Sequence, residues 1–357
     1  MNNAIKKCAF RLKDRDYDAF LISSPLNITY LSNFRTAEGY LLITSEGKLT
    51  YFTNFLYEQE AKKTNIWKVV VSNGKNIFNC IANEINSQKL KRVGFEAKNI
   101  PFLEYKKICE FISNKKIKLI PASDIVEEIR SIKSEDELRK IKKAISISQE
   151  AFEFIKTIYQ NKMSEKDLCI EIEKFLKLKG DNSIAFSPIV AYDENSSYPH
   201  HLPQDKICAK EYILIDLGAK YLNYCADLTR IFLKVTISPL YKKILDIVKY
   251  AQDMAIKKIK DGVAANEVDA IAREYIESKG YGKYFGHGLG HGIGLDVHEA
   301  PFLNPYNKKP LKENMVLTIE PAIYLNGNFG IRLEDIICVR ANKAEILSRK
   351  TEYYIIE

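Results

Sequence analysis

Histidine, tryptophan and long apolar runs are scarce in this chain. Its 357 residues include five histidines and one tryptophan. No window approaches the roughly 18 apolar residues that a membrane-spanning helix needs. The first twenty residues also lack the long apolar core of a secretory signal. The sequence therefore predicts a soluble cytoplasmic protein without a membrane partner.

Paired cysteines and runs of positive charge are also missing. The seven cysteines are odd in number and widely spaced, with no C-x-x-C pair, which is typical of reduced thiols in a cytosolic protein. The net charge is +8, yet the lysines are scattered among acidic residues rather than gathered in a basic run. We therefore expect a solvated surface and no nucleic-acid partner.

The composition that remains is that of a globular protein. Hydrophobic residues make up 46% of the chain, which excludes disordered and fibrous classes. Short apolar runs alternate with helical patterns over about the first 120 residues, as in an α/β domain. The pattern then becomes strongly helical, with strands between and after the helices, which indicates an α+β domain. We place the two domains at residues 1–125 and 126–357.

Turn and capping signals locate individual elements. Ser45-Glu46-Gly47 predicts a hairpin turn, and the segment 18–34 predicts a strand followed by a turn. Ser134 and Ser164 each precede an acidic residue three positions later, as at a capped helix start. Further strands are predicted at 67–72, 92–97 and 117–122. Helices are predicted near 55–64, 76–88 and 102–114. Two more helices are predicted, one that begins at Ser238-Pro239 and one from about Asn266 to Gly280.

Acidic residues are placed symmetrically in a first predicted hairpin. Asp216 and Asp227 are equidistant from Tyr221-Leu222, at the centre of the segment 211–233. Simple antiparallel pairing would set their Cβ atoms about 4.5 to 5.5 Å apart, where like charges are destabilising. Either one aspartate is protonated or a cation lies between the two.

A second hairpin repeats this pattern. Asn326-Gly327-Asn328 predicts its turn, and Glu320 and Glu334 are each seven residues from Gly327. A bulge could shift the register by one residue. One acidic residue in a strand is usually an edge or surface position, but two symmetric pairs in apolar hairpins favour a functional cluster.

The segment 285–301, FGHGLGHGIGLDVHEAP, carries three of the histidines. Glycine at every second position disfavours a helix, so His287 and His291 do not form a helical zinc-protease motif. The spacing also differs from phosphate-binding glycine loops. In an extended chain the two histidines would point to the same side, and the glycines would let the backbone pass close to a neighbour. Together with His298 they are difficult to explain as isolated core residues.

Together these residues resemble the proline-specific branch of the pita-bread metallopeptidases, the family of aminopeptidase P and prolidase. The stretch from His287 to Glu299 matches the His-rich signature of that branch. Further segments match in the family's order, namely IVAYDENSSYPHH, ILIDLGAKYLNYCADLTR, TIEPAIY and GIRLEDI. The first half resembles the creatinase-type domain through SPLNITYLSNF and LYEQEA, although Asn54 and Leu56 depart from a common Asp-x-Arg-Tyr element. The resemblance implies a creatinase-like α/β domain followed by a pita-bread α+β catalytic domain.

The resemblance also implies five ligands for two divalent metal ions. Asp216 would bind one metal, and His291 and Glu320 the other. Asp227 and Glu334 would bridge the two. Four carboxylates and one imidazole form a mostly oxygen shell, which favours Mn²⁺, with Co²⁺ or Zn²⁺ as substitutes.

Catalytic and substrate roles are implied in the same way. Glu320 would accept a proton from water and pass it to the leaving amine. His298 and His200 would donate hydrogen bonds to the substrate carbonyl and the tetrahedral intermediate. The resemblance also implies that His287, Tyr324 and Arg332 line the proline pocket. His201 corresponds to no usual catalytic position, so we expect a structural residue or a pocket neighbour.

The implied activity is that of an Xaa-Pro aminopeptidase, which removes the residue preceding a proline from small peptides. The alternative is an Xaa-Pro dipeptidase, or prolidase, which cleaves dipeptides only. Less favoured is a non-catalytic pita-bread binding protein, because such proteins usually lose metal ligands. Methionine aminopeptidase usually lacks the N-terminal domain, and creatinase lacks the full ligand set. The family also implies a homodimer.

Overall fold

The computed structural model describes residues 3–34, 38–63, 68–74, 76–112, 116–205, 209–234, 237–348 and 353–356. The chain forms two compact units, Met1–Arg130 and Ser131–Glu357. Ile125, Val126 and Ile129 are buried in the core of the first unit, which therefore includes the short helix that follows residue 126.

The first unit is an α/β layer structure. Its helices are α1 (Asn3–Asp14), α2 (Pro25–Ser32), α3 (Glu58–Lys62), α4 (Ile77–Ser87), α5 (Phe102–Phe111) and α6 (Glu127–Arg130). Its strands are β1 (Ala19–Ile22), β2 (Tyr40–Thr44), β3 (Leu49–Thr53), β4 (Lys68–Val71), β5 (Arg92–Glu96) and β6 (Lys118–Ala122). They form one mixed sheet in the order β4-β3-β2-β1-β5-β6. Alternate residues of β1 enter two different apolar clusters, so both faces of the sheet are covered.

Most of the elements predicted for this unit are present. The turn at Ser45-Glu46-Gly47 joins β2 to β3, and the three further strands and helices lie where the sequence predicted them. The predicted ends at residues 64, 67, 113 and 114 lie outside the described residues. The turn predicted after β1 is wrong, because Ser24 caps a helix with Pro25 at its first position. Asn33, with φ of 59°, ends this helix.

The second unit is an α+β structure. Its helices are α7 (Glu135–Ile158), α8 (Glu165–Lys179), α9 (Pro239–Lys258) and α10 (Ala265–Ser278). Its strands are β7 (Ile189–Tyr192), β8 (Tyr212–Leu217), β9 (Lys220–Tyr221), β10 (Tyr224–Cys225), β11 (Leu228–Leu233), β12 (Gly290–Gly292), β13 (Glu299–Leu303), β14 (Val316–Ile319), β15 (Ala322–Leu325), β16 (Phe329–Arg332), β17 (Asp335–Val339), β18 (Ala344–Ile346) and β19 (Tyr353–Ile355). Both predicted capping boxes, at Ser134 and Ser164, are formed.

The described strands of this unit form two main sheets and two ribbons. The sheets have the orders β19-β11-β8-β7 and β13-β12-β14-β17-β18, and the ribbons are β9-β10 and β15-β16. Helices α9 and α10 contribute their buried faces to a core shared with strands of both sheets. None of the described helices combines the length and the apolar character needed to cross a bilayer.

The register of the first acidic hairpin differs from the prediction by two residues. Asp216 pairs with Thr229, and the same register sets Asp227 opposite Gly218. The shift arises because the tight turn is formed by Leu222 and Asn223, with φ of 47° and 70°. The prediction that the two aspartates face each other directly is therefore wrong. A shift of two keeps both on one face, where they are diagonal neighbours.

The second acidic hairpin has the predicted register. Ile319 pairs with Asp335 on one side and Ala322 pairs with Arg332 on the other. Continuing this register from both sides sets Glu320 opposite Glu334. Two pairs of carboxylates are thus carried to strand ends in the same unit.

The Leu222-Asn223 turn provides a test of this hairpin geometry. A leucine in the left-handed region costs about 1 kcal/mol, whereas asparagine tolerates it and is favoured in such two-residue turns. We expect Leu222→Asn to raise the free energy of unfolding by about 0.5 to 1 kcal/mol in denaturant titrations. A matched change at the exposed Leu240, which lies in the first turn of α9, should give no gain. A loss of stability in Leu222→Asn would contradict the two-residue turn.

Candidate active site

The four predicted carboxylate ligands meet at the ends of strands. Asp216 lies near the end of β8, and Asp227 immediately precedes β11. Glu320 follows β14, and Glu334 lies between β16 and β17. Among the described residues, three groups of side chains have ligand atoms within 4.8 Å of one another, namely Asp227, His291 and His298; His291, Glu320 and Glu334; and Asp216, Asp227 and Glu334. Their shared members join the five predicted ligands and His298 into one cluster.

Burial and mutual repulsion disfavour charge on this cluster. Burial, followed by the Glu334 and Asp216 carboxylates, raises the pKa of Asp227 well above its usual range. Burial and Glu320 do the same to the pKa of Glu334. For Asp216, burial raises the pKa even though the Arg332 guanidinium opposes the shift. Burial also pulls the pKa of Glu320 upward, but His291, His287 and Arg332 together lower it overall.

Two carboxylate oxygens in the cluster lack a hydrogen-bond donor among the described residues. Oδ1 of Asp216 and Oε1 of Glu334 are buried, and no other group in the described part of the chain pairs with them. A buried, unpartnered anionic oxygen is costly, and a divalent cation would relieve the cost. The donor set, which is mostly carboxylate oxygen, fits such a cation.

His291 is oriented as a metal ligand would be. Its Nδ1 lies 3.1 Å from the carbonyl of Gly292, to which it donates, and in the neutral ring this bond would leave the Nε2 lone pair available to a metal ion. Nε2 faces Glu320 Oε1 at 3.2 Å and Asp227 Oδ2 at 3.7 Å. The predicted close backbone approach is present, because a Cβ on Gly290 would lie 2.0 Å from the carbonyl oxygen of Thr318.

Two threonine hydroxyls that the sequence analysis did not identify also contact the cluster. Thr229 Oγ1 donates to Glu334 Oε2 at 2.8 Å and accepts from Arg332 Nε at 2.9 Å. Thr318 Oγ1 accepts from the His291 backbone N–H and lies 3.2 Å from Glu320 Oε1. Each threonine is two residues from a predicted ligand, on the same strand face, so the two-residue period of a strand could have identified both.

A hydrogen-bonded chain connects the cluster to the predicted proline pocket. Arg332 Nη2 donates to Asp216 Oδ2 and Nη1 donates to the Tyr324 hydroxyl, both at 2.6 Å. That hydroxyl lies 3.4 Å from His287 Nε2. Burial lowers the pKa of His287, which favours its neutral form at physiological pH. Arg332 therefore contacts a predicted metal ligand as well as a pocket residue.

A cavity of about 960 Å³ opens from the cluster. His200 and His298 lie on its wall with exposed side chains, as a role in contacting substrate would require. The rings of His298 and His291 are 4.4 Å apart between centroids. Apolar side chains form much of the remaining wall, including those of Phe186, Ile189 and Phe302. The cavity is large enough for a small peptide.

His201 also lines this cavity, but its imidazole is engaged in a buried hydrogen bond. It is buried, and its Nε2 is 2.8 Å from Oε2 of Glu165, the first residue of α8. Glu165 also accepts hydrogen bonds from the backbone of Tyr192 and Gln204 and from the amide of Asn195. This arrangement fits the predicted structural role.

Comparison with known proteins identifies the family. Residues 139–341 match metallopeptidase family M24, and residues 5–132 match the creatinase/prolidase N-terminal domain. The chain belongs to metallopeptidase family M24. The expected order, a creatinase-type domain followed by a pita-bread catalytic domain, is thereby confirmed.

Relatives with a stated activity align over nearly their whole length. An Xaa-Pro dipeptidase of Pyrococcus horikoshii is 34% identical over 359 residues, covering 100% of this chain and 99% of the relative. The structure of an Xaa-Pro dipeptidase from Bacillus anthracis is similar with a TM-score of 0.93, at 32% identity and 99% coverage of both chains. An X-Pro aminopeptidase from Thermotoga maritima has a TM-score of 0.88 and 35% identity, covering 97% of this chain and 100% of that one.

The repulsion within the cluster predicts how stability depends on metal. We expect Mn²⁺ to raise the Tm of the chelator-treated protein, because a bound cation stabilises the folded state. Asp227→Asn removes one of the repelling charges, so it should raise the Tm of the metal-free protein by a few degrees and abolish the shift caused by Mn²⁺. Thermal unfolding with and without Mn²⁺ measures both effects.

The control is Asp246→Asn, which makes the same charge change on the exposed side of α9. It should keep the wild-type response to Mn²⁺. A metal-free Asp227→Asn protein that is less stable than wild type and still responds fully to Mn²⁺ would contradict the repulsion argument.

Proposed function

We propose that this chain is a dimetal Xaa-Pro peptidase, which hydrolyses the bond between an N-terminal residue and a following proline. The observation that carries the proposal is the cluster of buried carboxylates with two unpartnered oxygens, open to a cavity that His287 and Tyr324 line. Membership of family M24 and the activities stated for the relatives support it.

The ligands are assigned as the resemblance implies. Asp216 would hold one divalent ion and His291 with Glu320 the other, while Asp227 and Glu334 would bridge them. The overlap of the three side-chain groups through Asp227, His291 and Glu334 supports this arrangement. Bound cations would acidify a water molecule and polarise the scissile carbonyl. The oxygen-rich donor set favours Mn²⁺.

The protein's own groups would move the proton and bind the developing charge. Glu320, a carboxylate beside the attacking water, would accept a proton from it. It then returns that proton to the proline nitrogen as the C–N bond breaks. His298 and His200, exposed on the cavity wall, would donate hydrogen bonds to the substrate carbonyl oxygen.

Selection for proline would come from two aromatic rings that line the cavity. The rings of His287 and Tyr324 lie 5.8 Å apart between centroids and would pack against a pyrrolidine ring. Arg332 holds the Tyr324 hydroxyl and Asp216 together, so the pocket and the cluster keep a fixed relation. We assign these three residues to substrate binding.

Of the two substrate lengths, the relatives favour the dipeptide. The P. horikoshii relative and the B. anthracis structure are both Xaa-Pro dipeptidases, while the T. maritima structure is an X-Pro aminopeptidase. We therefore place the dipeptidase activity first, ahead of the aminopeptidase activity that the sequence alone favoured.

Matched peptides test the activity and its length preference. With Mn²⁺ present, we expect hydrolysis of Leu-Pro with a kcat/KM at least about tenfold above that for Leu-Pro-Ala, and no hydrolysis of Leu-Ala. Chelation should abolish turnover. Faster cleavage of Leu-Pro-Ala would favour the aminopeptidase, and no hydrolysis of either proline peptide would refute the enzyme and favour a binding protein.

A second experiment tests the bridging assignment. Glu334→Gln keeps the shape of the side chain but weakens it as a ligand, so we expect loss of turnover together with loss of bound metal. Metal analysis of the purified variant measures this. The control is Glu313→Gln, which removes an exposed carboxylate outside the cluster. Two retained metal ions in Glu334→Gln would argue against bridging.

We also propose a cytoplasmic homodimer, as the cysteine pattern and the family resemblance predict. The six described cysteines are reduced thiols, and Cys208 lies outside the described residues. Reduced thiols are compatible with a reducing compartment.

A further inference from the structure

Helix α9 buries an amide among apolar side chains. Its buried face includes Val248, Ala251, Ala255 and Ile256, and Gln252 lies among them at 2% exposure. Burying an amide without hydrogen bonds costs several kcal/mol. The partners of this glutamine therefore indicate what it stabilises.

The amide of Gln252 connects two strands. Its Nε2 donates to the carbonyl of Ile319 at 3.0 Å and to the carbonyl of Leu333 at 3.2 Å. Both partners are acceptors, so only the nitrogen end of the amide can face them. Ile319 immediately precedes Glu320, and Leu333 immediately precedes Glu334. One side chain thus contacts the backbone beside both opposed glutamates.

The ladder of backbone hydrogen bonds between the two segments of the hairpin is interrupted at Glu320 and Glu334. The Glu320 N–H donates to the carbonyl of Leu289 at 2.8 Å, and the Glu334 N–H points to that of Thr229 at 3.4 Å. Both N–H groups thus bond outside the hairpin, although the pairs on either side keep the common register. At the interruption, the Gln252 amide links the two segments of the hairpin through the carbonyls of Ile319 and Leu333.

We propose that Gln252 is a positioning residue that sets the separation of the Glu320 and Glu334 carboxylates for metal binding. The proposal rests on the dimetal function proposed above. The two carboxylates repel each other where the hairpin ladder is interrupted, and the Gln252 amide opposes their separation from the side of α9. Metal affinity should therefore depend on a residue that does not itself contact the metal.

Two variants of Gln252 separate positioning from packing. Gln252→Met keeps the length of the side chain but removes the donor. Gln252→Asn keeps the donor but is one methylene shorter, so it can reach at most one carbonyl. We expect Mn²⁺ to bind about 10-fold to 100-fold more weakly to Gln252→Met, with a smaller loss for Gln252→Asn.

The readouts are calorimetric titration of the chelator-treated proteins with Mn²⁺ and the electron paramagnetic resonance spectrum of the loaded proteins. The spectrum reports coupling between two ions and should change in Gln252→Met. The control is Ile256→Ala, one turn further along the same buried face. It should lower the Tm without changing the affinity or the spectrum.

The outcomes distinguish this inference from the proposed function. If wild type binds two ions and Gln252→Met lowers only the Tm, with affinity and spectrum unchanged, the positioning role is refuted and the dimetal function stands. If the wild-type protein binds no Mn²⁺, the metal site is refuted and the inference with it.

Discussion

Repulsion among four carboxylates is the constraint on which the second unit depends. At an effective dielectric constant near 20, two unit charges about 4 Å apart repel by about 4 kcal/mol. Arg332 compensates one of the four by donating to Asp216. The raised pKa values of Asp227 and Glu334 show that, without cations, protons would have to neutralise part of the rest. A fold that holds this cluster at strand ends is therefore one that favours cation binding.

The glycine-rich segment needs support because glycine offers no side chain to pack. Helix α10 provides it through the buried Asp269 and its partner Arg273, which bonds both carboxylate oxygens at 2.8 Å. Arg273 also donates to the carbonyls of Phe285 and His287, and Asp269 accepts from the Leu289 N–H. The path of the segment before His291 is thus fixed by one ion pair on a helix. The glycines let the backbone approach its neighbours closely, and the ion pair gives the histidines of the segment a defined position.

The two hairpins show what the sequence could and could not predict. The Glu320 and Glu334 register was predictable because Asn-Gly is a strong turn signal. The Asp216 and Asp227 register was two residues off, because Leu222 in a left-handed conformation has no signature in the sequence. Thr229 and Thr318 were accessible from strand period alone. The role proposed for Gln252 could not be predicted from the sequence, because its partners lie 67 and 81 residues away and only the packing of α9 brings them together.

Adjacent histidines show how the cavity wall combines a fixed backbone with an available side chain. His201 is buried against Glu165, and burial would raise the pKa of that carboxyl, but hydrogen bonds from His201 and from neighbouring donors lower it overall. The ionised Glu165 in turn ties the backbone after His201 to the start of α8 through Gln204. His200 is therefore held at its Cα while its imidazole stays exposed to the cavity. The role proposed for His200, donation to a substrate carbonyl oxygen as charge develops, would be favoured by this combination, because a fixed backbone lowers the entropy cost of orienting the donor.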